Sequence, residues 1–273
     1  MKVLFSHSSI FSIHPDFIGN YLPIVASHLK GNIQMNSEPL SEEAQPFSVS
    51  VISEENVKQI RVITLTGAVT KYDKPCEDSM GTLSVARAFD RAYADDSIAG
   101  IIFKTDSPGG EARACNHVYQ AIERRNKPVI AYVEDMACSA AYYMASAADL
   151  IIANYKLARI GCIGTMTTIY DQREYLKKLG VVEDEIYSSL STDKNSEYRA
   201  YLDGNKEPLI AMLDVLSEDF ISQVEKGRGD KLNKDRSEWG TGKTYFADEA
   251  LNIGLIDAID QFENVVNYFS SNF

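Results

Sequence analysis

Ser139 is the residue whose type and setting best suit covalent chemistry. It lies in Asp135–Asp149, DMACSAAYYMASAAD, where the apolar run Val129–Val133 leads into a stretch of small residues that reads as a helix. Its neighbours Ala137, Cys138, Ala140 and Ala141 shield it little. A hydroxyl at a strand-to-helix turn is open to a substrate, and the unpaired N–H groups of the first helical turn point at whatever it attacks. A serine that merely caps an alanine-rich helix is the competing reading.

A second motif, Asp106-Ser107-Pro108-Gly109-Gly110, follows the buried strand pattern Ser97–Lys104. It reads as a turn that opens a helix ending near Arg125. Proline presets one dihedral, and the two glycines admit backbone conformations and close approaches that a side chain forbids. Such a turn makes a cradle of N–H groups. If the two strands are neighbours in a parallel sheet, the cradle lies beside the hydroxyl, the layout of a nucleophile with an oxyanion hole. A serine nucleophile also needs a base. The four histidines are His7, His14, His28 and His117, and none follows Ser139. His14 and His28 read as partly solvated surface residues, since nothing nearby orients them. A lysine can serve if burial lowers its pKa from about 10.4. Cys138 is a rival nucleophile with no histidine to activate it, and reads as a small buried neighbour.

The elements that must position these groups alternate between strand and helix. Strand patterns cover 59–67, 97–104, 129–133, 150–153, 160–165 and 181–187. Helical periodicity covers 82–94, 169–179, 207–225, 247–251 and 261–269. This order predicts an α/β fold with a mostly parallel sheet covered by helices and a helical C-terminal third. Leu209, Ile210, Leu213, Leu216, Phe220 and Val224 form one apolar stripe, read as core or subunit interface. At the N-terminus, Phe17, Tyr21, Ile24, Val25 and Leu29 suggest a helix ended by Gly31, and the acidic stretch 36–46 reads as an arm or linker. The expected division is therefore 1–46, an N-terminal helix and arm, and 47–273, the main domain. Gly240-Thr241-Gly242-Lys243-Thr244 matches only the end of a phosphate-binding loop. Ser237 stands where its first glycine belongs, and no buried strand precedes it.

The chain has 273 residues, 45% hydrophobic and 24% charged, enough for a sizeable core. Its 27 basic against 39 acidic residues leave a net charge of −12, which argues against a nucleic-acid or anionic membrane surface. No apolar run approaches the about 20 residues of a membrane span, and the N-terminus makes a poor signal peptide. Cys76, Cys115, Cys138 and Cys162 contain no C-x-x-C pair, so neither a zinc site nor a disulfide framework is expected, and a reducing cytoplasm is the expected setting.

Several of these segments together resemble the signal peptide peptidase A family. They are the Gly109-Gly110 turn, Ala137–Tyr143 with Ala145 and Ala147-Ala148-Asp149, Gly161-Cys162-Ile163-Gly164, Lys226-Gly227-Arg228-Gly229 and Ala250–Asp257. The likeness covers about residues 59–260. It implies a Clp protease/crotonase-like fold, a spiral of ββα units with a mostly parallel sheet and C-terminal helices, and serine peptidase activity through a Ser–Lys dyad. It implies Ser139 as nucleophile, an oxyanion hole from the backbone of Gly109 or Gly110 and of Ala140, and Lys194 as general base. Cys162 stands where the family usually has a serine that helps hold the lysine, and Ala140-Ala141 stand where it usually has two glycines. Tyr142, Tyr143 and nearby apolar surface would accept small or apolar substrate side chains. The acidic arm and the His14-Pro15 opening resemble the phage and prophage branch. That implies processing of scaffold or head proteins during capsid maturation, in a host cytoplasm or within a prohead, by a homo-oligomer without metal or cofactor. Two other readings share the fold: a non-catalytic capsid- or scaffold-binding protein, and a crotonase-like acyl-CoA enzyme.

Overall fold

The structure, a computed structural model, describes residues 11–13, 47–52, 57–74, 80–182 and 184–272. Its frame is one eight-stranded sheet. The strands are β2 (Phe47–Ile52), β3 (Val57–Thr66), β4 (Ile98–Ser107), β6 (Val129–Cys138), β7 (Leu150–Ala153), β8 (Arg159–Gly161), β9 (Thr244–Phe246) and β10 (Ala258–Ile259). The main path runs β10-β7-β6-β4-β3-β2. The first four pairings along it are parallel and β2 closes the far edge antiparallel. The mostly parallel α/β sheet expected from the alternation is present.

The long strands are rich in Ile and Val because both sheet faces are covered. On β4, Ile101 and Phe103 enter the larger core while Ile102 faces the smaller one. On β6, Val129, Ala131 and Val133 take the first side and Ile130 and Tyr132 the second. Helices α1 (Thr82–Ala94), α2 (Cys115–Glu123), α3 (Ala140–Ala145) and α6 (Glu207–Arg228) bury apolar residues in the larger core. Helix α8 (Phe262–Asn272) covers the other face through Val265 and Phe269. Two short helices, α4 (Arg173–Lys178) and α5 (Ser196–Leu202), bury no residue, and α7 (Ala247–Asn252) follows β9.

Strand β6 serves two partners in turn. Its first half pairs with β7 through Ile130–Val133, and its end pairs with β8 through Met136–Cys138. The switch falls at Glu134 and Asp135, the two residues of β6 that are not buried. The end of the strand is thereby carried away from β7, and Ser139 leaves the sheet at that point.

Several expectations are corrected. Residues 181–187 contain no strand among those described, because Val181, Val182 and Ile186 are exposed and have no sheet edge to join. The helix expected at 169–179 is only Arg173–Lys178, and the strand at 160–165 ends at Gly161. The glycine turn does not open a helix directly. Gly109–Glu111 is a short strand, β5, and α2 begins at Cys115. Of the stripe on α6, Phe220 and Val224 are core, whereas Ile210 is exposed. Most of the expected N-terminal helix and the arm at 36–46 lie outside the described residues. Phe11–Ile13 is a strand, β1, paired with β5.

Candidate active site

Ser139 sits between β6 and α3 with φ 54° and ψ −123°. This is a backbone region that a non-glycine residue enters only at a cost of about 1–3 kcal/mol, held by surrounding structure. Two bonds hold it: the Ser139 N–H donates to the Gly161 carbonyl at 2.7 Å, and its own carbonyl accepts from the Tyr143 N–H at 2.9 Å. The side chain makes no capping hydrogen bond to α3, which removes the capping reading of this serine. Strain at a sharp strand-to-helix turn is how a nucleophile is thrust out of the chain path. Ala140 and Ala141 are buried, and Ser139 itself is 0% exposed.

The glycine motif arrives from the neighbouring strand. Ser107 of β4 is in register with Ala137 of β6, so β5 begins beside the Ser139 turn, and α3 packs against β5. Val69 runs along one edge of β5: its N–H donates to the Gly109 carbonyl and its carbonyl accepts from the Glu111 N–H, both at 2.8 Å. A Cβ on Gly110 would stand 2.2 Å from the Val69 oxygen, so the residue must be glycine for this approach. The two glycines differ in their hydrogen bonding. The Gly109 N–H donates to Ser107 Oγ at 3.2 Å, and that hydroxyl donates to the Gly67 carbonyl at 2.6 Å. The Gly110 N–H lies on the edge of β5 opposite Val69, since successive strand residues present their polar groups to alternate edges.

Cys162 lies one residue beyond the carbonyl that holds Ser139, also with positive φ, 54°. Its N–H donates to the Lys243 carbonyl at 2.9 Å. Burial pushes its thiol above the usual range, opposed by a hydrogen bond with the Thr244 side chain. The 240–244 segment that resembled half a phosphate loop is thus a brace: Gly242 donates to the Ile163 carbonyl, and β9 pairs with β8. Thr244 was not legible as a site neighbour, because only the tertiary pairing brings it there.

Beside Ala140 lies a small hollow of about 30 Å³, lined by Ala112, Cys115, Tyr143, Thr165, Leu216, Asp219 and Phe220. Tyr143 Oη donates to Asp219 Oδ2 at 3.2 Å, and burial, reinforced by Cys115 and Asp219, holds its phenol well above the usual range. Burial likewise pushes the Cys115 thiol up to about 12, and it donates to the Ala112 carbonyl. Tyr142 is no substrate contact: it is fully buried and donates to the Leu255 carbonyl. Cys138 is fully buried, as expected of a packing residue.

Lys194 is not among the residues of that hollow. It is exposed, in a separate open depression of about 390 Å³ formed by Glu185–Ser188, Ser191 and Asn195. The structure therefore brings Ser139, Ala140, Gly109, Gly110 and Cys162 to one end of the sheet, and places Lys194 on a surface segment. His117 is on α2, and His7, His14, His28 and Cys76 lie outside the described residues. No cluster of metal-ligating side chains occurs among the described residues, and none of their helices is long and apolar enough to cross a membrane.

Comparison with known proteins adds to this geometry. A model of Peptidase family S49 matches residues 121–272, over half of the chain. Protease 4 of Haemophilus influenzae is 28% identical over 213 residues, covering 77% of this chain and 34% of the relative. The capsid assembly protease C of Escherichia phage lambda is 28% identical over 205 residues, covering 73% of this chain and 46% of the relative. The chain thus spans between about a third and about half of these relatives. Among solved structures, a mutant of the membrane-bound stomatin-specific protease 1510-N in complex with a substrate peptide aligns with a TM-score of 0.48 and 21% identity, covering 75% of this chain and 76% of that one.

Proposed function

The chain belongs to Peptidase family S49, and from that premise we propose that it is a serine endopeptidase acting through an acyl-enzyme on Ser139, with residues 47–273 as the peptidase domain. The observation that carries this is Ser139 itself: a strained, non-capping serine at the end of β6, beside a glycine strand. Its hydroxyl attacks the substrate carbonyl. The developing oxyanion accepts hydrogen bonds from the Gly110 and Ala140 N–H groups. Gly110 is preferred over Gly109, whose N–H already faces Ser107. The leaving amine takes the proton that the base removed, and water hydrolyses the ester. The hollow beside Ala140 has room for about two waters, which suits a substrate side chain no larger than that of alanine or serine.

Lys194 is the general base in this reading. A lysine works as a base only when neutral, and burial beside Ser139 is what favours that form. Its segment is exposed and presents apolar side chains: Val182, Ile186 and Leu190 are 90%, 88% and 95% exposed. A second copy of the chain packed on this segment would bury both the apolar residues and the lysine, so the working form is a homo-oligomer. The capsid protease relative favours a scaffold or head protein as substrate, met in a host cytoplasm or prohead.

The test is peptide cleavage by wild type and by Ser139→Ala, Lys194→Ala and Lys243→Ala, the last because its backbone braces Cys162. Loss with the first two alone supports the dyad. Loss with Ser139→Ala and Lys243→Ala moves the base. Equal behaviour of all four, or acyl-CoA binding in place of cleavage, refutes the peptidase reading.

A further inference from the structure

The outer edge of β5 is occupied by the chain's own residues. Phe11–Ile13 runs antiparallel to it, with Phe11 opposite Glu111, Ser12 opposite Gly110 and Ile13 opposite Gly109. In an antiparallel pair, opposed residues alternate between exchanging both main-chain hydrogen bonds and exchanging none. Val69 takes the Glu111 N–H and the Gly109 carbonyl on the inner edge. The outward groups are therefore those of Gly110, and Ser12 is the residue that exchanges hydrogen bonds with it. The Ser12 carbonyl consequently faces the Gly110 N–H, the group that stabilises the oxyanion in the reading above. Phe11 lies along β5 away from the glycine turn, and Ile13 lies opposite Gly109.

We propose that the Ser12–Ile13 peptide bond is a self-processing site, presented to Ser139 within the same chain. The proposal rests on the peptidase reading. Two further features fit it. Ser139 is 0% exposed, as an occupied cleft requires. The register itself selects Ser12, the one of the three paired residues opposite Gly110. In the reaction, Ser139 Oγ bonds to the Ser12 carbonyl carbon and the Ser12–Ile13 C–N bond breaks. The proton from the hydroxyl passes through the base to the amino group of Ile13. Water then cleaves the ester, leaving a Ser12 carboxylate and the free Ser139 hydroxyl. Removal of the strand opens the β5 edge to other extended peptides, so the same event activates the enzyme.

The full chain is synthesised in a cell-free system and followed by intact mass, beside hydrolysis of a reference peptide. The expected result is a species beginning at Ile13, and a tagged Ser139→Ala chain that stays whole when mixed with wild type over the time in which the wild type processes itself. Ser12→Ala is cleaved at the wild-type rate, and Ser12→Trp at least tenfold more slowly. A cut elsewhere, cleavage of the tagged Ser139→Ala chain at the wild-type rate in the mixture, or equal cleavage of Ser12→Trp overturns the proposal. A chain that stays whole while it hydrolyses the reference peptide overturns this proposal alone. Failure of both reactions overturns it together with the peptidase reading.

Discussion

Substituting Gly110 by alanine tests the geometry on which the proposed catalysis depends. The added Cβ would meet the Val69 oxygen at 2.2 Å, its nitrogen at 2.6 Å and its carbonyl carbon at 2.9 Å. These are backbone atoms, which cannot swing aside as a side chain does. Ordinary contact requires that β5 and Val69 separate by about 1 Å, a displacement that costs on the order of 100-fold when it falls on a group positioned for reaction. Gly110 is not among the positive-φ glycines, so the effect comes from crowding and not from an unfavourable dihedral. The expected drop in kcat/KM is about 100-fold, equivalent to about 2.7 kcal/mol and within the range for loss of one oxyanion donor. The stability cost is about 1–3 kcal/mol, typical of overpacking. Gly204→Ala is the control. Its φ is +87° and nothing lies within 4 Å, so it costs about 1–2 kcal/mol of stability and leaves turnover intact. The assay is steady-state hydrolysis of a fluorogenic peptide alongside thermal unfolding. A Gly110→Ala protein within threefold of wild type in kcat/KM would refute the reasoning, because the Gly110 N–H would then tolerate displacement.

Three other outcomes follow from the same structure. Arg228 is 2% exposed and forks onto Asp257 at 2.8 and 3.1 Å; Arg228→Ala leaves that carboxylate to Lys231 and the Ile151 N–H and lowers unfolding free energy by about 1.5–3 kcal/mol in urea titration. Burial, then Asp135 and Glu134, push Asp106 from 3.8 up to about 6. The folded state thus holds a proton that the unfolded state has released, and stability falls as pH rises from about 3.8 through about 6; Asp106→Asn should flatten that slope in unfolding midpoints measured across the window. Phe220 is buried at the hollow beside Ala140; Phe220→Leu costs about 1 kcal/mol and shifts cleavage of a peptide series toward larger residues at the cut, whereas an unchanged preference would show that the hollow does not select.

Sequence pattern alone carried the central strands of the sheet and the two strand ends at the candidate site. Long runs rich in Ile and Val at 98–107 and 129–138 can be stable only with both faces covered, and helical periodicity between them supplies the cover. Ser139 and the glycine pair stood out only when read together and beside the family resemblance, since a helix cap and an ordinary strand-to-helix turn account for either one alone. What the sequence could not settle was long-range. The positive φ of Ser139 depends on the Gly161 carbonyl, 22 positions on, and the requirement for glycine at 110 depends on Val69, 41 positions back. The apolar residues at 181–187 suggested a strand, but strands need an edge, and the fold leaves none there. The pairing of Phe11–Ile13 with Gly109–Glu111 spans about a hundred residues with no local signal at either end. Local pattern sets which elements form. Only the folded chain decides which backbone N–H groups remain outward for a substrate, and which part of the same chain reaches them first.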